Sequence, residues 1–193
     1  MIIDITQEIT TCKVYEGDPT PKVKILKSMN DNELYNLSEF SMCAHNGTHI
    51  DAPAHFIKEG KTVDQIPLDR FVGECYISEF NGNLEKDDAI RILEEAKGIK
   101  RILIKGNCVV ESSGASVFAS SDLLLIGIEG QSFGPEETPL EVHKILLSKE
   151  IVLLEGVVLK NVNMGKYYLC AQPLNIKGIE GSPCRAILID KLT

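Results

Sequence analysis

His-Asn-Gly-Thr-His-Ile-Asp-Ala-Pro-Ala-His occupies residues 45–55 and contains three of the four histidines of the chain. These are His45, His49 and His55, and Asp51 lies between the second and the third. Zinc and related divalent ions bind imidazole nitrogen and carboxylate oxygen. A lone histidine is more often a surface or core residue than a ligand. Three histidines beside an aspartate within eleven residues indicate a metal site instead.

The local sequence predicts how this stretch presents its side chains. Gly47 and Pro53 disfavour a continuous helix, so a strand or a tight loop is expected. In an extended segment His49 and Asp51 point to the same side, because side chains alternate. With His45 they make three protein ligands, which leave an open coordination position, as is typical of catalytic zinc sites. A structural zinc site usually has closely paired cysteines, and the sequence has no Cys-x-x-Cys.

The fourth histidine, His143, lies on a predicted helix that begins near Thr138, a residue suited to the N-cap position. The apolar run at residues 151–154 then predicts a buried strand, and Glu155 follows it directly. A buried carboxylate without a partner costs several kcal/mol, and a metal ion is a suitable partner. We therefore predict that one or two divalent metal ions are held by His45, His49, Asp51, His143 and Glu155.

Size and composition predict an ordinary globular protein. The chain has 193 residues, 44% of them hydrophobic and 25% charged, so residues 1–193 are expected to form a single domain. The net charge of −8 argues against a nucleic-acid partner, which normally meets a basic face. We find no export signal and no apolar stretch near the roughly 18 residues of a membrane span. The six scattered cysteines are then expected to be reduced thiols, and the protein cytoplasmic, with no membrane partner.

The hydrophobic patterns predict an α/β fold, a mixed sheet with more strand than helix. Strands are expected at residues 2–9, 21–29, 37–44, 71–80, 101–105, 123–128, 151–154, 167–171 and 185–189. The clearest helix is residues 83–98, where apolar residues recur at helical spacing. Because strands flank this helix, a crossover and a partly parallel sheet are expected. The small and polar stretch 112–121 is predicted to be a loop.

The motif H-x-G-T-H-x-D-x-P-x-H, followed here by Phe56, resembles the signature of the cyclase family, which includes bacterial kynurenine formamidases and isatin hydrolases. The stretch Tyr-Glu-Gly-Asp-Pro at residues 15–19 resembles the N-terminal Gly-Asp-Pro segment of that family. Residues 173–188 resemble its C-terminal segment. The resemblance therefore touches both ends and the centre of the chain.

The resemblance implies a swivelling β/β/α fold, a metal centre that is often binuclear, and homodimers or homotetramers. It places the five ligand candidates named above in the metal centre. His55 matches the family's proposed general acid/base. Because the chain has no tryptophan, Tyr15 and Phe56 are candidates to contact a small-molecule substrate.

The function that the resemblance implies is metal-dependent hydrolysis of an amide-type carbon–nitrogen bond, in a formamide or a cyclic amide, with activated water as the nucleophile. Two alternatives remain open: a cyclase or lactonase of secondary metabolism, and a non-catalytic metal-binding relative. The presence of His55, which has no necessary ligand role, argues against the second alternative. Zinc is the default ion for these ligands, and manganese suits the same set. Because the segment at 105–122 is shorter than in the formamidases, the resemblance does not identify the substrate.

Overall fold

Two uninterrupted apolar runs, at residues 102–104 and 151–154, lie at the centre of the fold. A computed structural model describes residues 1–135 and 139–190, and in it both runs are fully buried within neighbouring parts of one sheet. Strands that are covered on both faces have this continuous apolar composition because neither face meets water.

The described residues form thirteen strands and three α-helices. The strands are β1 (Ile2–Asp4), β2 (Lys22–Lys27), β3 (Leu37–Ser41), β4 (His49–Asp51), β5 (Val72–Glu79), β6 (Gly82–Leu84), β7 (Arg101–Lys105), β8 (Cys108–Val110), β9 (Leu125–Ile128), β10 (Val152–Glu155), β11 (Gly165–Cys170), β12 (Gly181–Pro183) and β13 (Ile187–Ile189). The helices are α1 (Lys86–Ala96), α2 (Ser112–Ala119) and α3 (Pro139–Leu147). Within the described residues, no helix has the length and apolar character that a membrane span needs.

Nine of the strands form one sheet in the order β1-β13-β11-β5-β7-β9-β10-β4-β12. The four central strands, β5, β7, β9 and β10, are parallel to one another. The strands outside them pair antiparallel on both sides. The prediction of a mixed sheet with few helices is confirmed, as is the parallel pairing of the strands that flank α1.

The sheet separates two apolar clusters. Leu103 and Leu154 contribute to one cluster, together with residues of the antiparallel strands. Their neighbours Ile102, Ile104 and Leu153 contribute to the other cluster, which also contains buried apolar side chains of all three helices. Successive side chains of a strand point to opposite faces, so one apolar run supplies both layers of the core.

Helix α1 is shorter at its start than the predicted helix. It begins at Lys86, because the Glu85 and Asp88 side chains form a reciprocal capping box there. Asn83 belongs instead to β6, which pairs with β8. At the other end Lys97 adopts the left-handed conformation with φ of 51°, one residue before the expected Gly98.

The prediction of a loop at residues 112–121 is wrong, because Ser112–Ala119 is helix α2. Its small residues have weak helix propensity, but packing overrides that preference. A Cβ atom added at Gly114 would lie 2.6 Å from the Leu84 carbonyl oxygen, so only glycine allows this approach. Phe118 is fully buried and Ala115, three residues before it, shares the same apolar cluster. The three-residue spacing of Ala115 and Phe118 is the sequence pattern that could have predicted this helix.

A further boundary differs from the sequence patterns. The first strand ends at Asp4 instead of continuing to residue 9, and Ile9–Thr11 is a 3-10 turn capped by the Glu8 side chain. Helix α3 begins at Pro139, in agreement with the predicted start near Thr138, and the proposed N-cap residue Thr138 itself lies outside the described residues.

Strands β2 and β3 form a separate two-stranded ribbon. In its register Val23 lies opposite Phe40, Lys24 opposite Glu39 and Ile25 opposite Ser38. One face is therefore apolar and the other charged, since side chains alternate along each strand. The apolar face is open: Val23 is 55% exposed, Ile25 70% and Phe40 61%.

We expect Phe118→Ala to destabilise the protein by about 3–5 kcal/mol, because the change leaves a cavity between α2 and the sheet. Urea unfolding followed by circular dichroism measures the loss. Ser113→Ala is the matched control, since Ser113 is an exposed residue of the same helix and its truncation removes no core contact. Equal stability of the two variants would contradict the packing assigned to α2.

Candidate metal centre

The antiparallel pairing of β4 with β10 brings the first functional side chains together. His49 lies directly opposite Glu155, and Asp51 lies opposite Leu153. His49, Asp51 and Glu155 are almost completely buried. The His49 Nε2 atom is 3.1 Å from Glu155 Oε2 and 3.4 Å from Asp51 Oδ1. A histidine and two carboxylates therefore meet inside the protein on adjacent strands.

His45 reaches this cluster from the loop that precedes β4. Its Nδ1 atom lies 2.8 Å from Asp51 Oδ1, and its Nε2 atom lies 3.3 Å from Glu180 Oε1. The imidazole lies against the backbone of β12, where a Cβ atom added at Gly181 would be 2.5 Å from His45 Cε1. Burial disfavours the protonated ring, but the hydrogen bonds with Asp51 and Glu180 prevail and raise the pKa of His45 to about 9.

Helix α3 supplies His143 from the other side of the cluster. Its Nε2 atom is 3.2 Å from Glu155 Oε1 and 3.7 Å from Asp51 Oδ2. The Phe56 ring packs on the imidazole with a centroid distance of 4.7 Å. The backbone N–H of Phe133 donates to Glu155 Oε1 at 2.8 Å, which holds the carboxylate in place.

These contacts make two groups of three with one shared member. The first group is His45, His49 and Asp51, and the second is Asp51, His143 and Glu155. In each group the potential ligand atoms lie within 4.8 Å of one another. The structure thus brings together all five residues that the sequence predicts as ligands, and it places Asp51 between the two groups.

The unpartnered atoms of the cluster fit a divalent cation. The Nδ1 atom of His49 lies 2.9 Å from the Gly47 carbonyl oxygen, and a proton there leaves a lone pair on Nε2. That lone pair faces carboxylate oxygens, and neither His49 Nε2 nor Asp51 Oδ2 has a hydrogen-bond partner among the described residues. Buried acceptors that face one another repel unless a cation lies between them. Atoms bound at about 2.1 Å to one tetrahedral zinc lie roughly 3.4 Å apart, which agrees with the separations found here.

His55 stands beside the cluster without joining either group of three. It ends a short 3-10 turn, Pro53–His55, and its side chain is 25% exposed. Its ring stacks on His45 with a centroid distance of 4.1 Å, and its Nε2 atom is 4.0 Å from Asp51 Oδ2. Burial lowers the pKa of His55, and the nearby His45 and His143 lower it further against the attraction of Asp51. A neutral ring near pH 7 follows.

Comparison with known proteins agrees with this geometry. Residues 3–154 match the family model described as "Putative cyclase". The chain is also 33% identical to the kynurenine formamidase of Salinibacter ruber over 207 residues, covering 98% of this chain and 97% of that protein. The chain belongs to the cyclase family. The matched residues include four of the five ligand candidates and end one residue before the fifth, Glu155.

Solved structures of this family share the fold. A predicted metal-dependent hydrolase from Bacillus stearothermophilus superposes with a TM-score of 0.83 at 27% identity, over 99% of this chain and 98% of that one. Isatin hydrolase A from Labrenzia aggregata superposes with a TM-score of 0.85 at 18% identity, over 99% and 94% of the two chains. The cyclase-family fold that the motif implied is therefore confirmed.

A cavity of about 230 Å³ opens onto the metal centre of this cyclase-family chain. Tyr15 and Phe56, the two predicted substrate contacts, both line it. So do Asp18, Gln131 and Ser132, which the sequence prediction did not include. Asp18 belongs to the quoted Gly-Asp-Pro stretch, so its motif was a signal that could have identified it. The other two follow a buried strand in a turn with no recognisable pattern.

Polar side chains fix the loop that carries the motif. The Gln131 side-chain N–H donates to the Gly47 carbonyl oxygen at 2.7 Å, and the Gln7 side-chain N–H donates to the Gly156 carbonyl oxygen at 2.8 Å. The Thr48 hydroxyl donates to the same Gly156 oxygen at 2.7 Å and accepts from the Gln7 backbone N–H at 2.9 Å. Because these bonds join four chain segments, around residues 7, 47–48, 131 and 156, the entry to β4 is fixed on both sides.

The shared carboxylate yields a prediction about metal content. We expect Asp51→Asn to lose all bound divalent metal, because both groups of three lose their common ligand, whereas His143→Ala loses only the ion of the second group. Metal per chain, measured by elemental analysis after gel filtration, tests this. Asp64→Asn is the control, because Asp64 is an exposed carboxylate that belongs to neither group of three, and it keeps the metal content of the unmodified protein. A metal-replete Asp51→Asn protein would refute the shared site.

Proposed function

We propose that this protein is a metal-dependent hydrolase of amide-type carbon–nitrogen bonds, in a formamide or a cyclic amide. The observation that carries the proposal is the buried Asp51 carboxylate, shared by two groups of metal-binding residues and lying 4.0 Å from the uncommitted imidazole of His55. The similarity to a kynurenine formamidase supports the choice of an arylformamidase-like amide substrate.

The proposed roles follow from the two groups of three. His45, His49 and Asp51 would hold one divalent ion, and Asp51, His143 and Glu155 a second. A bound ion supplies Lewis acidity, which polarises a carbonyl and lowers the pKa of water to about 7. We propose zinc for this set of imidazoles and carboxylates, with manganese as the alternative, since the same ligands suit both.

His55 would move the proton. Its neutral ring accepts a proton from the attacking water at Nε2, the atom that faces Asp51, and returns it to the leaving nitrogen. Burial favours this neutral state by lowering the pKa of His55, while the negative charge of Asp51 stabilises the protonated ring once it forms. Phe56, whose ring lies 4.2 Å from His55 between centroids, limits the movement of the imidazole.

We expect His55→Ala to retain its metal but to lose about 10²–10⁴-fold in kcat, because the general base is removed while the ligands remain. Steady-state kinetics combined with elemental analysis tests both parts. Lys58→Ala, which changes an exposed residue just after the motif, keeps both rate and metal. A His55→Ala enzyme with a near-normal rate would show that the proton moves by another route.

Hydrolysis assays with metal-stripped and reconstituted protein test the function itself. We expect N-formyl aromatic amines or cyclic amides to be cleaved only after zinc or manganese is restored, because the ion activates the water. Cleavage of lactones alone would favour the cyclase or lactonase alternative. No turnover of any of the three substrate classes with either metal would favour a non-catalytic metal-binding protein.

The apolar face of the β2–β3 ribbon supports a further part of the proposal, that copies of the chain form homodimers, or homotetramers built from them. A two-stranded ribbon is marginally stable in water, and exposed contiguous apolar surface marks interaction sites. A cavity of about 660 Å³, away from the metal centre, begins at Phe40 of that face and is also lined by Ile9 and Leu174. An exposed apolar face next to a groove suits a two-fold interface, in which the same patch serves both copies.

Paired substitutions on the two faces of the ribbon test self-association. We expect the unmodified protein to sediment as a multiple of 21.3 kDa and the Ile25→Ser/Phe40→Ser protein as a monomer. The Lys24→Ser/Glu39→Ser protein changes the opposite face of the same strands and keeps the assembly. Monomeric unmodified protein at micromolar concentration would contradict the interface.

The location and extent of the active unit complete the proposal. We propose one domain spanning residues 1–193, because β1 and β13, from opposite ends of the chain, pair with each other in the central sheet.

We propose a cytoplasmic protein, because its six cysteines are free thiols. Burial raises the pKa of Cys75 and Cys184 to about 12, which keeps these two thiols unreactive. The substrate would be a small molecule that fits the cavity at the metal centre.

A further inference from the structure

Glu180 contacts the metal centre but belongs to neither group of three. Its Oε1 atom lies 3.3 Å from His45 Nε2, whereas the other nitrogen of that ring, Nδ1, lies 2.8 Å from Asp51 Oδ1. Each ring nitrogen of His45 therefore meets a different carboxylate. Of the two carboxylates only Asp51 belongs to the metal-binding residues, so Nδ1 is the nitrogen that faces the first group.

Backbone pairing holds Glu180 beside the motif. Strand β12 begins at the next residue, and Gly181 lies opposite Asp51 in the antiparallel pairing of β12 with β4. The Glu180 carbonyl oxygen accepts a hydrogen bond from the Ala52 backbone N–H at 2.8 Å. Because Gly181 has no side chain, the imidazole of His45 fits against the backbone there. The sheet thus fixes the position of Glu180 relative to the ring that it contacts.

The carboxylate of Glu180 has no competing partner. Among residues 1–135 and 139–190, His45 is the one basic side chain that forms an ion pair with it. The same contact is the one hydrogen bond of the Glu180 side chain within these residues. The side chain is 44% exposed, so solvent weakens the interaction without directing the carboxylate elsewhere.

A metal-binding histidine usually donates the N–H of its other ring nitrogen to a carboxylate, a carbonyl oxygen or a water molecule. This contact fixes the orientation of the ring and makes the ligand nitrogen more basic. His49 already has such a contact, because its Nδ1 atom lies 2.9 Å from the Gly47 carbonyl oxygen. Glu180 has the same relation to His45 with the two nitrogens exchanged: it faces Nε2 and leaves Nδ1 for an ion.

The two groups of three also differ in negative charge. The first group contains one carboxylate, Asp51, and the second contains two, Asp51 and Glu155. Because Asp51 is shared, the first group has no carboxylate of its own. Glu180 adds a negative charge next to that group, on the side of His45 that Asp51 does not occupy.

We propose that Glu180 is a positioning residue of the metal centre: it orients His45 so that Nδ1 binds the ion of the first group, and it strengthens the binding of that ion alone. The proposal rests on the metal-dependent function proposed above and concerns the affinity of the same site. Glu180 acts through His45 and does not line the cavity at the metal centre, so its effect falls on the ion and not on the substrate.

Zinc affinity of the full chain tests the proposal without any substrate. Titration of metal-stripped protein in competition with a chromophoric chelator resolves the two binding steps of the two groups. We expect Glu180→Ala to weaken one step by about tenfold and to leave the other unchanged within about twofold, because it removes a supporting contact of one ligand only. Glu180→Gln keeps an oxygen acceptor without the charge, so it should weaken the same step by less.

A double-mutant cycle with His45 distinguishes positioning from general support of the fold. His45→Ala removes a ligand of the first group, and the zinc-binding step that remains belongs to the second group. We expect that remaining step not to respond to Glu180→Ala, because the ring through which Glu180 acts is absent. A further loss of affinity there would show that Glu180 merely stabilises the segment, and the proposal would be wrong. An equal loss in Glu180→Gln and Glu180→Ala would also overturn it, because the acceptor that orients the ring is retained in the first.

Glu59→Ala is the matched control, because Glu59 is an exposed carboxylate close to the motif that belongs to neither group of three, and both zinc affinities are kept. Two unchanged binding steps in Glu180→Ala overturn the role of Glu180 and leave metal-dependent hydrolysis intact. Selective weakening of one step supports the role of Glu180 even if the protein hydrolyses none of the proposed substrates, a result that refutes the hydrolase alone. Unmodified protein that binds no zinc refutes both.

Discussion

The register of β4 against β10 is the constraint on which the site depends. With His49 opposite Glu155, the side chains of His49, Asp51 and Glu155 meet on one face of the sheet. A slip of one residue would turn the β4 side chains to the other face and bury them in an apolar cluster. The apolar residues around the motif enforce the register, because Ile50 and Leu154 are both fully buried in one cluster of the core.

The same register creates an electrostatic problem that the protein solves locally. Asp51 and Glu155 are buried close together, and burial alone would raise the pKa of a carboxyl such as Asp51. The hydrogen bond from His45 and the charges of nearby histidines reverse this, so the pKa of Asp51 lies well below its ordinary range. Buried ions are stable only when they are paired, so the cluster needs positive charge from protons or from metal. A site that must be filled to be stable is well suited to binding cations tightly.

The sequence predicted those parts of the site whose residues are close together in the chain or follow a regular element. Residues 45–55 form a dense cluster of potential ligands. His143 and Glu155 were predicted because His143 lies on an expected helix and Glu155 directly follows the buried strand after it. Glu180 was not found, because it contacts His45 across 135 residues of sequence and has no local pattern. Helix α2 was missed for a related reason: its stability comes from packing against Leu84, while its own composition favours a loop. Both features depend on contacts between residues that are far apart in the sequence. Such contacts leave no recognisable pattern within a single segment.

The stacked pair of His45 and His55 shows how one cluster could hold metal and still keep the base proposed above. Two imidazoles 4.1 Å apart are both protonated only at a high electrostatic cost, so their environments separate them. Burial disfavours the charged form of both rings. His45 gains two carboxylate partners and a raised pKa, whereas the more distant Asp51 contact leaves His55 with a lowered one. A metal ion on His45 would replace its proton as the positive charge, so it would keep His55 neutral in the same way. The proposed ligand and the proposed base are thus separated by their carboxylate contacts, although the motif places them only ten residues apart.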